Sequence, residues 1–277
     1  MKEIREANEI NSSRSPTAVF VGATSGIGLG VIQSLLRTSN APRIFIIGRS
    51  QLKFAPTLAE FKALNPSATL TFIQAQVSLL KEVDRAYTLI KDQESSVDLL
   101  CLSQGGISVG HRLTEEGLNA DYAVKYYSRL LFIHLLLPLL HTSPSPRVLS
   151  ILAAGSEGPA NLADPGFLDP NSFNGFWEAL RHGVMITSLA MKELAVQNPG
   201  VSFVHANPGP VATDVHAKWA GTMTPVLGAF VRWVFAPLLH IFSWTSDEAG
   251  ETGLFELTSE RFGAESGRNF WRLDDRG

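Results

Sequence analysis

The chain has 277 residues, with 23 basic against 26 acidic, a net charge of −3, one cysteine, 45% hydrophobic and 18% charged residues. That length suits one large α/β domain, and the apolar share excludes a disordered or fibrous chain. Without a basic surplus, nucleic acid is excluded as the expected partner, and the lone Cys101 excludes an intrachain disulfide or a cysteine-built zinc site.

Residues 1–15 read as a polar arm without a signal-peptide core, which places the protein in the cytoplasm. Residues 16–277 read as one domain. Its expected strands are 17–21, 43–47, 69–75, 97–102, 147–152 and 201–206. The helices between them are 26–36, 58–64, 79–92, 115–140 and 176–196. Near-continuous apolar strands alternating with amphipathic segments predict a Rossmann-like, doubly wound parallel sheet of about seven strands, with helices on both faces. Cys101, in the run Leu99-Leu100-Cys101-Leu102, reads as a buried small hydrophobe. Two long stretches, 153–174 and 208–243, follow strands and are expected to overhang the carboxyl edge of the sheet as substrate-covering loops. The richest apolar runs are interrupted by His134 and Pro138, and by Arg232, Pro237 and His240, so no stable membrane insertion is expected. Residues 226–242 read as a buried or substrate-covering helix, and Trp219, Phe230 and Trp233 fit either an aromatic lid or ordinary core packing. No spacing of His, Asp and Glu suggests a metal.

The first strand runs into Gly22-Ala23-Thr24-Ser25-Gly26-Ile27-Gly28 and then a helix. Glycines there let the backbone approach a pyrophosphate, and the helix N-terminus supplies free amides and a favourable dipole. The second strand ends in Gly48-Arg49-Ser50, where an NAD-selective site would carry an acid. Arg49 offers a planar cation and Ser50 a hydroxyl to a 2′-phosphate, which points to NADP(H).

With these features the chain resembles the short-chain dehydrogenase/reductase family across about residues 17–260. Further positions match: Gln76-Val77 at the adenine edge, Ser103 and Gly105 after the fourth strand, Pro208-Gly209-Pro210-Val211-Ala212-Thr213 along the nicotinamide, and Ser246-Asp247-Glu248-Ala249-Gly250 opening a late helix. The resemblance implies that Gly22, Thr24, Ser25, Gly26, Ile27, Gly28, Arg49, Ser50, Gln76, Val77, Ser103, Gly105, Lys125, Pro208, Gly209, Val211 and Thr213 surround the cofactor. Dimers and tetramers are common in that family.

The family's acid–base chemistry uses a serine, a Tyr-x-x-x-Lys pair and an asparagine. Here the register places Ala153, Leu180, Val184 and Lys125 at those positions. Composition supports this, because Tyr87, Tyr122, Tyr126 and Tyr127 all precede the fifth strand. Tyr87 and Lys91 spell the pair but lie on a flanking helix. Loss of a positioned acid or base costs about 10²–10⁴-fold for a ketone and less for an iminium, which already carries the charge. Glu157, Asp164 and Asp169 are loop anions, and Arg129 follows Lys125 by one turn. This pattern resembles divergent fungal reductases of indole-alkaloid biosynthesis, which lack the usual set, reduce a cyclic iminium with NADPH and guide a Diels–Alder cyclisation. By that resemblance Arg129 anchors substrate or cofactor and Asp164 pairs with the cation. Turn chemistry before Pro165 and a helix-surface ion pair are the competing readings of the two. His182 is a weaker candidate acid, and His134 and His205 read as satisfied core groups. The expected function is NADP(H)-dependent reduction of an iminium or carbonyl in a small apolar metabolite of secondary metabolism. A non-redox cyclase or isomerase and a catalytically silent cofactor-binding protein are the alternatives.

Overall fold

The computed structural model describes residues 1–10, 15–106, 111–172, 175–209, 211, 244–264 and 267–274. Seven strands form one parallel sheet in the order β3-β2-β1-β4-β5-β6-β7. They are β1 Thr17–Val21, β2 Arg43–Gly48, β3 Thr69–Gln74, β4 Leu99–Leu102, β5 Arg147–Ile151, β6 Ser202–Ala206 and β7 Phe270–Leu273. The helices are α1 Lys2–Ile10, α2 Gly26–Thr38, α3 Gln51–Leu64, α4 Leu80–Lys91, α5 Ala120–Tyr122, α6 Ser128–Leu140, α7 Phe176–Gln197 and α8 Ser246–Thr258.

Alternate strand residues feed two cores. Ala18, Phe20, Ile44, Ile46, Cys101 and Leu149 pack toward α2, α3 and α8. Val19, Val21, Phe45, Leu100, Leu102 and Val148 pack toward α4, α6 and α7. Burial on both faces explains why the central strands are apolar throughout rather than alternating. Cys101 is fully buried, and desolvation pushes its thiol up to about 12.

Several elements differ from the sequence expectation. The polar arm contains a helix, α1, docked on α8 by Asn8 Nδ2, which donates to the Glu251 carboxylate at 2.8 Å and to its carbonyl at 3.0 Å. Helix α3 starts at Gln51 rather than 58, because Ser50 caps it and Pro56 lies on its exposed side. The long helix starts at Ala120, where the Asn119 side chain accepts from the Asp121 and Tyr122 amides. Upstream, Thr114 and Leu118 are hydrogen-bonded across a turn through Gly117 (φ 76°). Between α5 and α6, Ala123–Tyr127 makes one π-helical turn, in which the Ser128 N–H reaches back to Ala123 O. Ala120–Leu140 is long and apolar enough to cross a membrane by length and composition. It instead lays Phe132, Ile133, Leu136 and Leu140 against the sheet. Strand β7, which had no named run in the sequence reading, closes the sheet beside β6.

Candidate active site

The carboxyl ends of β1, β4 and β5 meet at the glycine loop. Gly22 takes φ 77°, and a Cβ there would lie 2.4 Å from the Gln104 Cα. A Cβ on Gly28 would lie 2.2 Å from Ser103 Oγ. No side chain fits in this cradle, which leaves the backbone open to a bulky anion. Ser25 is the N-cap of α2 but makes no side-chain capping bond, so the hydroxyl does not cover the first amides of the helix. These features fit a dinucleotide pyrophosphate. Gly26 and Ile27 begin α2, and Thr24 packs its methyl against the end of β2 at Gly48.

Arg49 is exposed and has no side-chain partner among the described residues. It is therefore available to a phosphate beside α3. The Ser50 hydroxyl caps α3 by accepting from Lys53 N, and it retains its own proton to donate. Gln76 is exposed, and Val77 packs on the α4-side core. Ser103 donates to Val21 O and Gly105 is exposed with open space around it. Gly209 (φ 68°) donates its N–H to Asn207 Oδ1 beside Pro208, and Val211 bridges to Trp244. Thr213, Trp219, Phe230, Trp233 and the 212–243 part of the second covering loop lie outside the described residues.

Two of the four vacant catalytic positions, Leu180 and Lys125, line one cavity. This cavity of about 10 Å³ is lined by Leu152, Leu180 and Gly183 together with Tyr122, Lys125 and Tyr126. Leu180 and the fully buried Val184 offer no proton donor from α7. Lys125 is buried and its Nζ lies 2.7 Å from Asp121 Oδ2. Tyr122 donates to Ala179 O at 2.7 Å, and burial pushes its phenol far up. Burial, followed by the neighbouring Tyr127, also raises Tyr126. The spacing of four between Asp121 and Lys125 was a readable sign of this ion pair.

Arg129 needs a correction. The expectation that it anchors substrate or cofactor does not match its geometry, since it is 1% exposed and faces the sheet. Nη1 donates to Leu102 O at 2.7 Å and to Ser150 Oγ at 2.8 Å; Nη2 donates to Ile151 O at 2.9 Å and to Gln104 O. It clamps the ends of β4 and β5. Asp164 is corrected in the same way. Its carboxylate accepts from Leu168 N, Asp169 N and Ser172 Oγ, and the Ser172 bond first, then the Leu168 amide, hold it below the usual carboxylate range. It organises the turn after Pro165. Asp169 likewise accepts from Asn171.

The loop after β5 is fastened to α7. His182 is fully buried, accepting from Asn161 N at Nδ1 (2.9 Å) and donating from Nε2 to Pro165 O (3.0 Å), so it joins loop to helix instead of serving as the acid. Phe167 takes φ 47° and is fully buried. Its carbonyl is held by Asn119 Nδ2 and His111 Nε2 at 3.0 Å each. Glu157 accepts from Ser188 at 2.8 Å and meets Arg272 at 3.1 Å. Ser188 also bonds His205 Nδ1 at 2.8 Å, and burial pushes that imidazole down to about 3. Tyr87 and Lys91 stay together on α4, 5.9 Å from Nζ to ring, away from this edge. A larger cavity of about 640 Å³ lies at the opposite, amino edge, beside Pro16, Asp98 and Arg147. Ligands of doubly wound sheets bind at the carboxyl edge, so it is not the active site.

The sequence model of the short chain dehydrogenase family matches residues 16–162. Oxidoreductase AN1596 of Emericella nidulans is 38% identical over 252 residues, covering 91% of this chain and 74% of that protein. Oxidoreductase andH of Emericella variicolor is 35% identical, covering 95% of this chain and 76% of that protein. The crystal structure of L-sorbose reductase from Gluconobacter frateurii, complexed with NADPH and L-sorbose, superposes with a TM-score of 0.72, covering 96% of this chain and 97% of that one at 14% identity.

Proposed function

The chain belongs to the short-chain dehydrogenase family, and we propose that it is an NADP(H)-dependent reductase of a carbonyl or iminium in a small apolar metabolite of secondary metabolism. The observation that carries this reading is a cradle closed to any Cβ at Gly22 and Gly28, with Arg49, unpaired among the described residues, following the end of β2. Reduced nicotinamide bound there supplies a hydride. The α2 N-terminus binds the pyrophosphate, Arg49 and the Ser50 hydroxyl favour a 2′-phosphate, and Pro208, Gly209 and Val211 border the nicotinamide. The locked loop after β5 and the apolar Leu152 and Leu180 exclude water. NADPH bound by L-sorbose reductase, and the oxidoreductase names of the fungal relatives, support the reading.

A second reading, a non-redox cyclase on the same scaffold, draws support from the apolar Leu180 and Val184 at the usual donor positions. Incubating purified protein with NADPH and cyclic ketones or iminium salts separates the two. Consumption of NADPH with a reduced product supports the reductase. Turnover that continues unchanged when NADPH is replaced by NADP⁺ supports the cyclase.

A further inference from the structure

We infer that Lys125, held by Asp121, donates the proton to the reacting oxygen of a neutral carbonyl substrate, from the helix wall opposite the one that usually carries the donor. This rests on the reductase reading above. The cavity at the vacant positions has a volume of about 10 Å³, room for one water or one carbonyl oxygen. Its lining combines the apolar Leu152 and Leu180 with the charged Lys125 and Asp121.

The Lys125 side chain is only 10% exposed and that of Asp121 22%, so both act in a poorly solvated setting. There an ammonium stabilises a developing oxyanion far more than it would in water. Asp121 fixes the direction of Nζ and balances its charge, so the wall has no net attraction for an acid. The fitting substrate class is therefore a neutral ketone or aldehyde on an apolar frame. Lys125 and Tyr126 lie within the π turn Ala123–Tyr127, and both line the cavity. Such turns are frequent at functional sites.

With reduced nicotinamide bound to supply a hydride to the carbonyl carbon, the oxygen would gain its proton from Lys125 Nζ. The C=O π bond gives way to one C–H and one O–H bond. Bound reduced nicotinamide would be left oxidised, and the neutral Lys125 amine recovers its proton from solvent.

A matched pair of probes tests this: 1-tetralone, whose oxygen needs a proton, and N-methyl-3,4-dihydroisoquinolinium, whose nitrogen needs none. Lys125→Met lowers tetralone reduction by about 10²–10⁴-fold and lowers iminium reduction at least about tenfold less. Without any cofactor, 4-nitrophenol bound to the wild type absorbs as phenolate, and bound to Lys125→Met as the neutral phenol. Lys125→Gln and Asp121→Asn, checked by melting temperature and cofactor affinity, guard against a folding artefact; Asp121→Asn retains part of the ketone activity. Equal slowing of both probes, or an unchanged phenolate spectrum in Lys125→Met, overturns the assignment. If the wild type ionises 4-nitrophenol through Lys125 but reduces neither probe, the proton site stands and the reductase reading fails.

Discussion

Replacing Arg129 by methionine separates a structural clamp from a ligand anchor. The guanidinium is 1% exposed and makes four hydrogen bonds: to Leu102 O, Gln104 O and Ile151 O, and to Ser150 Oγ. Charge-assisted bonds contribute about 1.5–3 kcal/mol each, and buried acceptors left unpaired cost about 1–3 kcal/mol each. Methionine keeps most of the side-chain volume, and water entering the site would satisfy some of the carbonyls. A net loss of about 4 kcal/mol follows, a large part of a typical domain stability of about 5–15 kcal/mol. For a chain of this length that corresponds to a fall in melting temperature of about 10 °C. Differential scanning calorimetry at neutral pH reads it directly. Because Gln104 lies against Gly22, cofactor affinity should fall along with stability. A melting temperature within about 2 °C of wild type, with substrate binding abolished, would refute the clamp and restore the anchor.

Two further perturbations follow from single groups. Arg49→Ala should weaken NADPH binding by about 10–100-fold, the equivalent of one charge-assisted phosphate contact, while NADH changes less than about twofold; fluorescence titration measures both. Equal losses for the two cofactors would remove Arg49 from the 2′-phosphate site. Burial raises the Glu256 carboxyl from 4.5 to about 8. Between those values the folded state keeps a proton that the unfolded state has released, so stability falls as pH rises through this window, by up to about 1.4 kcal/mol per pH unit. Glu256→Gln removes the dependence, and its melting temperature relative to wild type should climb between about pH 5 and pH 8. A constant difference would contradict the linkage.

The parts of the fold legible in sequence are those whose signal is local. Burial on both faces made the central strands continuous apolar runs, and the glycine loop announced itself through positions such as Gly22 and Gly28, where any Cβ collides. Helix α1 was hidden because its anchor, Asn8 to Glu251, spans 243 residues. Helix α3 begins before the expected residue 58, with Pro56 accommodated on its exposed side. Gly117 was the missed punctuation ahead of α5, and Asn119 the missed cap. The candidate site was half legible. The vacancy at Leu180 and Val184 followed from where the tyrosines fall. The role of Arg129 did not, because three of its four acceptors are main-chain carbonyls, which leave no trace in residue identity. Asp164 had a visible alternative in the turn before Pro165, and the structure takes it. Asp121 and Lys125, four apart on a helix, were readable as a pair, but only the fold shows that they face the vacant position.

Single-turnover transfer of deuterium tests the central claim most directly. Purified protein loaded with NADPH carrying deuterium at nicotinamide C4 is mixed with a panel of cyclic ketones and N-alkyl iminium salts, and the products are read by mass spectrometry. The account predicts a reduced product holding one deuterium at the former carbonyl or iminium carbon. Tight NADPH binding with no deuterium delivered to any member of the panel would contradict it.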